Sequence, residues 1–524
     1  MGTAAACGGQ PGCGRHDWRG LACEGARADV AEMTIHFPFD NSYVRLPAGF
    51  FAPVQPTHVP SPRLVRLNTA LAEELGLDSG ALSSAEGVAV LAGNVVPVGA
   101  EPIALAYAGH QFGGFSPRLG DGRAILLGEV LGRDGVRRDV QLKGAGRTPF
   151  SRGGDGRAAL GPVLREYVMS EAMAALGVPT TRALAAVTTG APVYRETALP
   201  GAVLTRVAAS HVRVGTFQFF AASGDQESVG QLADYVIGRH YPEAGSADNP
   251  YRAMLDGVIA RQAALVAQWM LIGFVHGVMN TDNTSVSGET IDYGPCAFLD
   301  VYDPAMWFSS IDQGGRYAYG NQPRIMHWNL TRLAEAMLPL LGEDDDARVT
   351  SATAALDAFG PRFGATYVEG LRHKIGLATE REGDDALVQG LLTAMKEGAA
   401  DFTRTFRLLC DAAVDPAAEG AVRALFPEAA LFDAWVVPWR ARLAAETGSP
   451  EERAAAMRAV NPAVIPRNHL VEETLAAAME RHDFAPFGAL LEAVSRPFEA
   501  RPGFERYALP PAVADASYRT FCGT

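Results

Sequence analysis

The stretch His-Gly-Val-Met-Asn-Thr-Asp-Asn occupies residues 276–283, and Asp-Tyr-Gly follows it at residues 292–294. These two pieces constrain the fold more than any other part of the chain. Amide and carboxylate oxygens are the hard ligands that magnesium prefers, so we expect Asn283 and Asp292 to be metal ligands. Each piece alone is also compatible with an Asx-rich turn that leads into a strand.

Lysine is rare in this chain, since Lys143, Lys374 and Lys396 are the only lysines among 45 basic residues. Lys143 ends a strand predicted over 138–143, which forms a hairpin with a strand over 124–131. A compact ammonium on a flexible stem suits contact with a phosphate oxygen. A surface lysine at a strand end is the alternative interpretation.

The next predicted helix begins at Pro162, where proline is tolerated in the first turn, and runs to about Leu176. It carries two carboxylates, Glu166 and Glu171. We expect Glu166 to pair with Lys143, with Glu171 as the second choice. A solvated helix face is the alternative for either glutamate.

Glycine and arginine alternate in three loops around the lysine strand, at 119–123, 144–147 and 152–157. Glycine allows backbone N–H groups to approach phosphate oxygens closely, and arginine adds charge-assisted hydrogen bonds. No Gly-Lys-Ser/Thr sequence occurs, so these loops are not a Walker A motif.

The order of lysine strand, glutamate helix, His-Gly loop and Asp-Tyr-Gly is similar to that of protein kinases. It predicts an α+β, protein-kinase-like bilobal fold with a large helical C-terminal half. The catalytic aspartate of kinases is replaced here by Val278, so the usual phosphotransfer base is missing and Asp282 is the available carboxylate. A kinase-type phosphotransferase and a noncatalytic nucleotide-binding pseudokinase remain as alternatives.

The sequence predicts four regions. These are a disordered extension over 1–32, an N-terminal region with the nucleotide-binding lobe over 33–225, a second-lobe core with the catalytic and metal-binding loops over 226–345, and a helical extension with a redox-candidate tail over 346–524. Apolar periodicity predicts helices over 64–75, 227–240, 251–275, 329–341 and most of 346–495. It predicts strands over 183–189 and 201–208 and a short strand-like segment over 284–299.

Composition narrows the class of protein. The chain has 524 residues with 48% hydrophobic and 20% charged residues, as in globular proteins. A net charge of −14 argues against nucleic-acid binding, and no apolar run approaches the ~20 residues needed to span a bilayer. Six cysteines without a CxxC pair predict a cytoplasmic protein, and the spacing of Cys7, Cys13, Cys23 and His16 matches no zinc finger.

Longer blocks of the sequence resemble the selenoprotein O family. The resemblance runs from about residue 34 to the C-terminus and rests on the blocks at 110–113, 119–123, 141–146, 148–152, 276–283 and 292–295.

This resemblance implies a kinase-like enzyme that binds ATP in a flipped orientation and transfers AMP to Ser, Thr or Tyr hydroxyls of proteins, including itself. It implies magnesium, or alternatively manganese, on Asn283 and Asp292, with Asp282 as the general base and Glu166 holding the lysine. The residues that it implies for ATP binding are Gly120, Gly122, Arg123, Lys143, Asp155, Gly156, Arg206 and Arg213.

Some members of this family carry selenocysteine third from the end, within a CxxU motif. This chain has Cys522 at that position and Arg519 in place of the motif's cysteine. The resemblance therefore leads us to expect a regulatory disulfide between Cys296 and Cys522, with two independent buried thiols as the alternative.

Overall fold

The structure is a computed structural model that describes residues 35–512 and 518–520. The predictions for residues 1–32 and for Cys522, including its disulfide with Cys296, lie outside the described residues. Cys296 itself is fully buried.

An antiparallel sheet dominates the first part of the described chain. Its strands follow the order β1-β3-β6-β7-β10-β9-β2, and β8 pairs with β10 beside this path. Two short pairs, β4 with β5 and β11 with β12, lie outside the sheet. The strands are β1 Phe51–Pro53, β2 Arg63–Leu67, β3 Ile103–Leu105, β4 Gly109–Gln111, β5 Gly114–Ser116, β6 Ala124–Leu131, β7 Arg137–Lys143, β8 Ala158–Ala159, β9 Arg182–Tyr194, β10 Ala198–Ala208, β11 Phe274–Val275 and β12 Ala297–Phe298.

Helices make up most of the chain after the sheet. The α-helices are α1 Thr69–Glu74, α2 Ser79–Ser83, α3 Ala85–Leu91, α4 Leu160–Ala175, α5 Val214–Ala222, α6 Gln226–His240, α7 Pro250–Leu271, α8 Gln322–Ala336, α9 Asp345–Asp357, α10 Phe359–Lys374, α11 Asp384–Glu397, α12 Phe402–Ala412, α13 Glu419–Arg423, α14 Ala429–Leu443, α15 Pro450–Val460, α16 Asn468–Arg481, α17 Ala485–Val494 and α18 Glu505–Ala508. None of the helices in the described ranges is long and apolar enough to cross a membrane.

The sheet is covered on both faces because side chains alternate along each strand. On β10, Leu204 joins the large core that contains α4 and the later helices. Its neighbour Val203 packs in a separate cluster with Leu142 of β7. Both faces of β10 are thus buried, and β7 with its lysine lies at the centre of the strand order.

The predicted mixture of helices with an antiparallel sheet is confirmed, and so is the hairpin of β6 and β7. The predicted helix over 64–75 is wrong in its first half, because residues 63–67 form β2. Leu67 pairs with Ala185 of β9, and Asn68 then caps α1 by accepting a hydrogen bond from Leu71 N at 3.2 Å. Leucines spaced by three or four residues suit a helix. Residues 63–67 form a strand instead because they pair with the edge of β9.

Other predicted boundaries also differ: the helix predicted over 329–341 is α8, which begins seven residues earlier at Gln322 and ends at Ala336. Helix α4 begins at Leu160 rather than at Pro162, and α7 ends at Leu271 because Gly273, at φ 74°, turns the chain into β11. Within 284–299 the only strand among the described residues is β12. Much of the backbone there bonds to distant loops instead, as when Thr290 N donates to Pro179 O at 2.9 Å. The pattern of apolar residues within a short segment does not predict such hydrogen bonds, because their partners are far apart in the sequence.

A buried lysine gives the helical part of the chain a measurable pH dependence. Lys374, at the end of α10, is 2% exposed, and its Nζ lies 4.4 Å from the ring centroid of Phe406. Burial lowers the pKa of Lys374 from 10.5 to about 7, although the nearby Cys410 acts in the opposite direction. Between these two pH values the unfolded chain binds a proton that the folded chain does not, so folding stability rises with pH across this window.

We expect Lys374→Met to raise the free energy of unfolding at pH 7 by roughly 2–4 kcal/mol, because it removes the cost of a buried amine that is charged when unfolded. The gain should shrink as the pH approaches 10. Urea titrations at pH 7 and pH 9.5 measure both effects. The exposed Lys396→Met is the matched control and should change stability by less than about 0.5 kcal/mol. Destabilisation by Lys374→Met at pH 7 would contradict the prediction.

Candidate functional site

A cleft of about 590 Å³ lies where the sheet meets the loops that follow α7. The structure places almost every predicted site residue on its walls. The predicted residues that line it are Gly120, Gly122, Arg123, Lys143, Asp155, Gly156, Arg206, Arg213, Asp282, Asn283 and Asp292. Glu166 lies directly behind the cleft wall, in contact with Lys143.

A network of charges forms the base of the cleft. Lys143 Nζ lies 2.6 Å from Glu166 Oε2 and 2.9 Å from Asp292 Oδ1. Arg206 Nη1 lies 2.6 Å from the same Asp292 Oδ1, and Arg213 Nη1 lies 2.6 Å from Asp292 Oδ2. Burial alone would raise the pKa of Asp292, but the three cations hold it well below its usual value. Asp292 is therefore ionised, and its carboxylate is the common anion of the network.

Regular structure supplies the positions of these cations. Arg206 of β10 lies opposite Gln141 of β7 in the antiparallel register, and its Nη2 donates to Gln141 Oε1 at 2.6 Å. Arg213 is the N-cap residue of α5, and its guanidinium lies 4.7 Å from the ring centroid of Tyr107. Both arginines are at most 2% exposed, so strands and packed rings hold them in place before any ligand binds.

The second candidate for the lysine's partner, Glu171, lies elsewhere. It accepts hydrogen bonds from Arg182 Nε at 3.0 Å and from Asn68 Nδ2 at 2.8 Å. Its position one and a half turns further along α4 turns it toward β9, while Glu166 faces the cleft.

At two positions in the loops that line the cleft, the backbone leaves no space for a side chain. Gly120 has φ 66°, and a Cβ on it would collide with the ring of Phe150. Gly156 has φ 67°, and a Cβ on it would collide with the carbonyl of Gly146. Only glycine suits both positions, because the left-handed backbone and the close contact exclude a side chain. The loops therefore pack tightly at the cleft wall, where Gly120 and Gly156 add no side chain.

Asp282 combines burial with an unused oxygen. It lies in the 3-10 helix Thr281–Asn283 and is 6% exposed. Its Oδ2 accepts a hydrogen bond from Gln111 Nε2 at 3.0 Å, whereas its buried Oδ1 has no hydrogen-bond partner. Burial raises the pKa of Asp282 to about 6, and the contacts with Gln111 and Arg213 partly offset that rise. A carboxylate with a pKa near neutrality and a free lone pair is suited to accept a proton.

A family model described as "Protein adenylyltransferase SelO" matches residues 33–495. The chain belongs to the SelO family. Protein nucleotidyltransferase YdiU of Methylorubrum extorquens is 66% identical over 498 residues, which cover 94% of this chain and 100% of that protein. The proteins of the same name from Rhodopseudomonas palustris (strain BisB5) and Bradyrhizobium diazoefficiens are each 63% identical over 492 residues, with the same coverage of both chains. The predicted family is thus confirmed.

Asn283 and Asp292, the residues expected to hold a metal in this SelO-family site, offer the oxygen donors that magnesium prefers. Asn283 uses its amide nitrogen to bond Val278 O at 2.9 Å, so its amide oxygen is not consumed by that bond. Asp292 Oδ2 accepts only one of the three cationic contacts. Groups of three or more His, Cys, Asp or Glu side chains able to hold a metal are absent from the described residues. Magnesium commonly binds through one or two protein ligands together with substrate phosphates, as this pair would require.

Several residues of the site were not predicted as functional. Gln111 occurs in a block quoted for the family resemblance, but only tertiary structure brings it to Asp282. Asp121 lies between the two predicted glycines, and burial raises its pKa to about 6. Arg195 also lines the cleft and ion-pairs with Asp155 at 2.9 Å. The alternation of glycine with charged residues indicated Asp121, whereas nothing local indicated Gln111 or Arg195.

We expect Gln111→Met to lower kcat by about 10- to 100-fold while changing the KM for ATP by less than about twofold, because it removes the hydrogen bond that orients Asp282. Steady-state kinetics with varied ATP separates the two constants. Gln218→Met is the matched control. Its amide oxygen accepts a hydrogen bond from the Thr281 hydroxyl at 2.6 Å without touching Asp282. Equal losses of kcat in both variants would mean that Gln111 only supports the loop.

Proposed function

We propose that this enzyme transfers AMP from ATP to Ser, Thr or Tyr hydroxyls of protein substrates and releases pyrophosphate. The observation that carries the proposal is the buried Asp282 carboxylate, which has one oxygen without a partner on the wall of a cation-rich cleft. The match to the adenylyltransferase family and the nucleotidyltransferase names of the relatives support the same reaction.

The cleft is suited to a polyphosphate. Arg123, Lys143, Arg206 and Arg213 all line it, and Gly120, Gly122 and Gly156 lie beside them on its wall. Guanidinium and ammonium groups bind phosphate oxygens with charge-assisted hydrogen bonds. In the flipped orientation of ATP, these groups neutralise the β- and γ-phosphates, which leave together as pyrophosphate.

Asp282 acts as the general base. The Asp282 carboxylate accepts the proton of the incoming hydroxyl, and the hydroxyl oxygen then forms a bond to the α-phosphorus of ATP. The bond from that phosphorus to the bridging oxygen of the β-phosphate breaks, and pyrophosphate carries away the electron pair. Magnesium, or manganese, held by Asn283 and Asp292 would stabilise the negative charge that develops on the phosphoryl oxygens.

The arrangement of the site also supports a protein-kinase-like bilobal fold. A strand lysine paired with a helix glutamate, and an Asp-Tyr-Gly aspartate beside the loop asparagine, reproduce the relative order of kinase site elements. In this proposal residues 33–225 contain the nucleotide-binding lobe, 226–345 contain the core of the second lobe and 346–524 form a helical extension. Val278, at the position of the kinase base, disfavours phosphate transfer.

Intact-mass spectrometry after incubation with magnesium and ATP tests the proposal, with a generic acceptor protein present. A mass gain of one adenylate on the acceptor or on the enzyme itself is the expected result. A gain of one phosphate would support the kinase-type phosphotransferase instead. Nucleotide binding without any mass gain would support the noncatalytic pseudokinase. Fractionation of the expressing cells tests the expected cytoplasmic location.

A further inference from the structure

The hairpin of β4 and β5 forms the rim of the cleft next to the proposed base. His110 N donates to the Thr281 hydroxyl at 2.7 Å, and Phe112 N donates to Asn280 Oδ1 at 3.2 Å. Gln111 and Phe112 line the cleft itself. An acceptor hydroxyl must reach Asp282, so a protein substrate has to approach close to this hairpin.

Arg316 lies against the turn of that hairpin. Its Cζ would be 3.8 Å from a Cβ placed on Gly113, and it lies 4.9 Å from the ring centroid of Trp328. The next residue, Tyr317, donates its hydroxyl to Asn280 Oδ1 at 2.7 Å and accepts a hydrogen bond from Phe112 N at 3.0 Å. Arg316 is therefore held, through its neighbour Tyr317, next to the loop that contains the proposed base Asp282.

The charge of Arg316 is not balanced by an ion pair within the described part of the chain. The nearest acid in sequence, Asp312, uses its two oxygens to accept the backbone N–H groups of Arg316 and Tyr317, at 2.9 and 2.8 Å. The Nε atom of Arg316 is buried without a hydrogen bond. A second guanidinium, that of Arg332, lies 5.1 Å from the Trp328 ring, but it is paired with Glu335 at 2.6 Å. Arg316 is therefore the cation of this surface that has no ion pair among the described residues, in a chain of net charge −14.

Exposed apolar side chains occur on the hairpin and on the cleft wall. Phe115, in the middle of β5, is 43% exposed, and Ile311, which lines the cleft, is 54% exposed. Large exposed apolar side chains beside an unpaired cation are typical of a surface that contacts another protein. We call the surface formed by Phe112, Phe115, Ile311, Arg316 and Trp328 the acceptor patch.

We propose that the acceptor patch binds the segment of the protein substrate that carries the reactive hydroxyl, and that Arg316 pairs with an acidic side chain close to that hydroxyl. This inference rests on the proposed function, because it assigns the substrate class of the same site. Arg316 is absent from the described residues that line the nucleotide cleft, so its charge is available to the acceptor. A planar guanidinium recognises a carboxylate in a bidentate manner, and Phe115 and Ile311 cover apolar parts of the segment.

Synthetic peptides provide the test. Each contains one Ser, Thr or Tyr, and its flanking positions are acidic (Asp and Glu), neutral (Ala and Gln) or basic (Lys). Wild-type enzyme should transfer AMP to the acidic peptides with a kcat/KM about tenfold higher than to the neutral ones, and lowest to the basic ones. Arg316→Gln should reduce the acidic-to-neutral ratio to about one, and Arg316→Glu should reverse the preference.

Arg324→Gln is the matched control, because Arg324 is an exposed arginine on α8 outside the patch and should retain the wild-type preference. An unchanged ratio in Arg316→Gln, or equal rates on all three peptide classes with wild-type enzyme, would overturn the inference. Failure of the proposed function itself would give a different result: wild-type enzyme would release no pyrophosphate and add no adenylate to itself or to any peptide.

Discussion

Asp282→Asn is expected to slow AMP transfer by about 10²- to 10⁴-fold at saturating ATP, the range for loss of a general base. The asparagine amide matches the carboxylate in shape, and its oxygen can still accept the hydrogen bond from Gln111 Nε2. The amide carries no negative charge and replaces one carboxylate oxygen by an NH₂ group, so it cannot accept a proton. Because the buried carboxylate contributes chemistry rather than shape, the affinity for ATP should change little.

Single-turnover kinetics with radiolabelled ATP measures the rate, and calorimetric titration measures ATP binding. Asp385→Asn is the matched control, since Asp385 is an exposed residue in the first turn of α11 and should leave both values unchanged. A rate for Asp282→Asn above half of the wild-type value would remove Asp282 from the role of base.

Asp292→Ala is expected to have two large effects, loss of detectable AMP transfer and a loss of roughly 3–5 kcal/mol of folding stability. The first follows from removal of a proposed metal ligand. The second follows because Lys143, Arg206 and Arg213 lose the anion that they share, and Glu166 alone remains to balance them. Asp292 also has φ 63°, a left-handed conformation that aspartate tolerates better than alanine.

Asp292→Asn separates these effects. Asparagine tolerates the same backbone conformation and keeps an oxygen that accepts from the cations, so it should lose less stability than the alanine variant while remaining inactive. Thermal and denaturant unfolding measure stability, and the mass-spectrometric assay measures transfer. Full activity in either variant would contradict the metal-ligand assignment, and wild-type stability of Asp292→Ala would contradict the charge network.

Local pattern was sufficient for elements whose stabilising contacts are close in sequence. The hairpin of β6 and β7 was predicted because two strand-like runs flank a turn at Asp134 and Gly135, and α4 because Pro162 suits the first turn of a helix. The same reasoning gave the wrong element at 64–67, since pairing with β9 decided that segment. It also failed over 284–299, where apolar residues are buried in a loop rather than in a strand.

The sequence by itself determined which chemical groups the site contains, since one lysine strand, one helix glutamate and one Asn-and-Asp pair occur in a recognisable order. Only the tertiary structure decided how these groups act on each other. The hydrogen bond from Gln111 to Asp282 joins residues 171 positions apart, and the contact of Arg206 with Asp292 joins residues 86 positions apart. Spacing along a helix or strand follows from local backbone geometry, whereas contacts at such separations arise only when the packed cores bring the elements together.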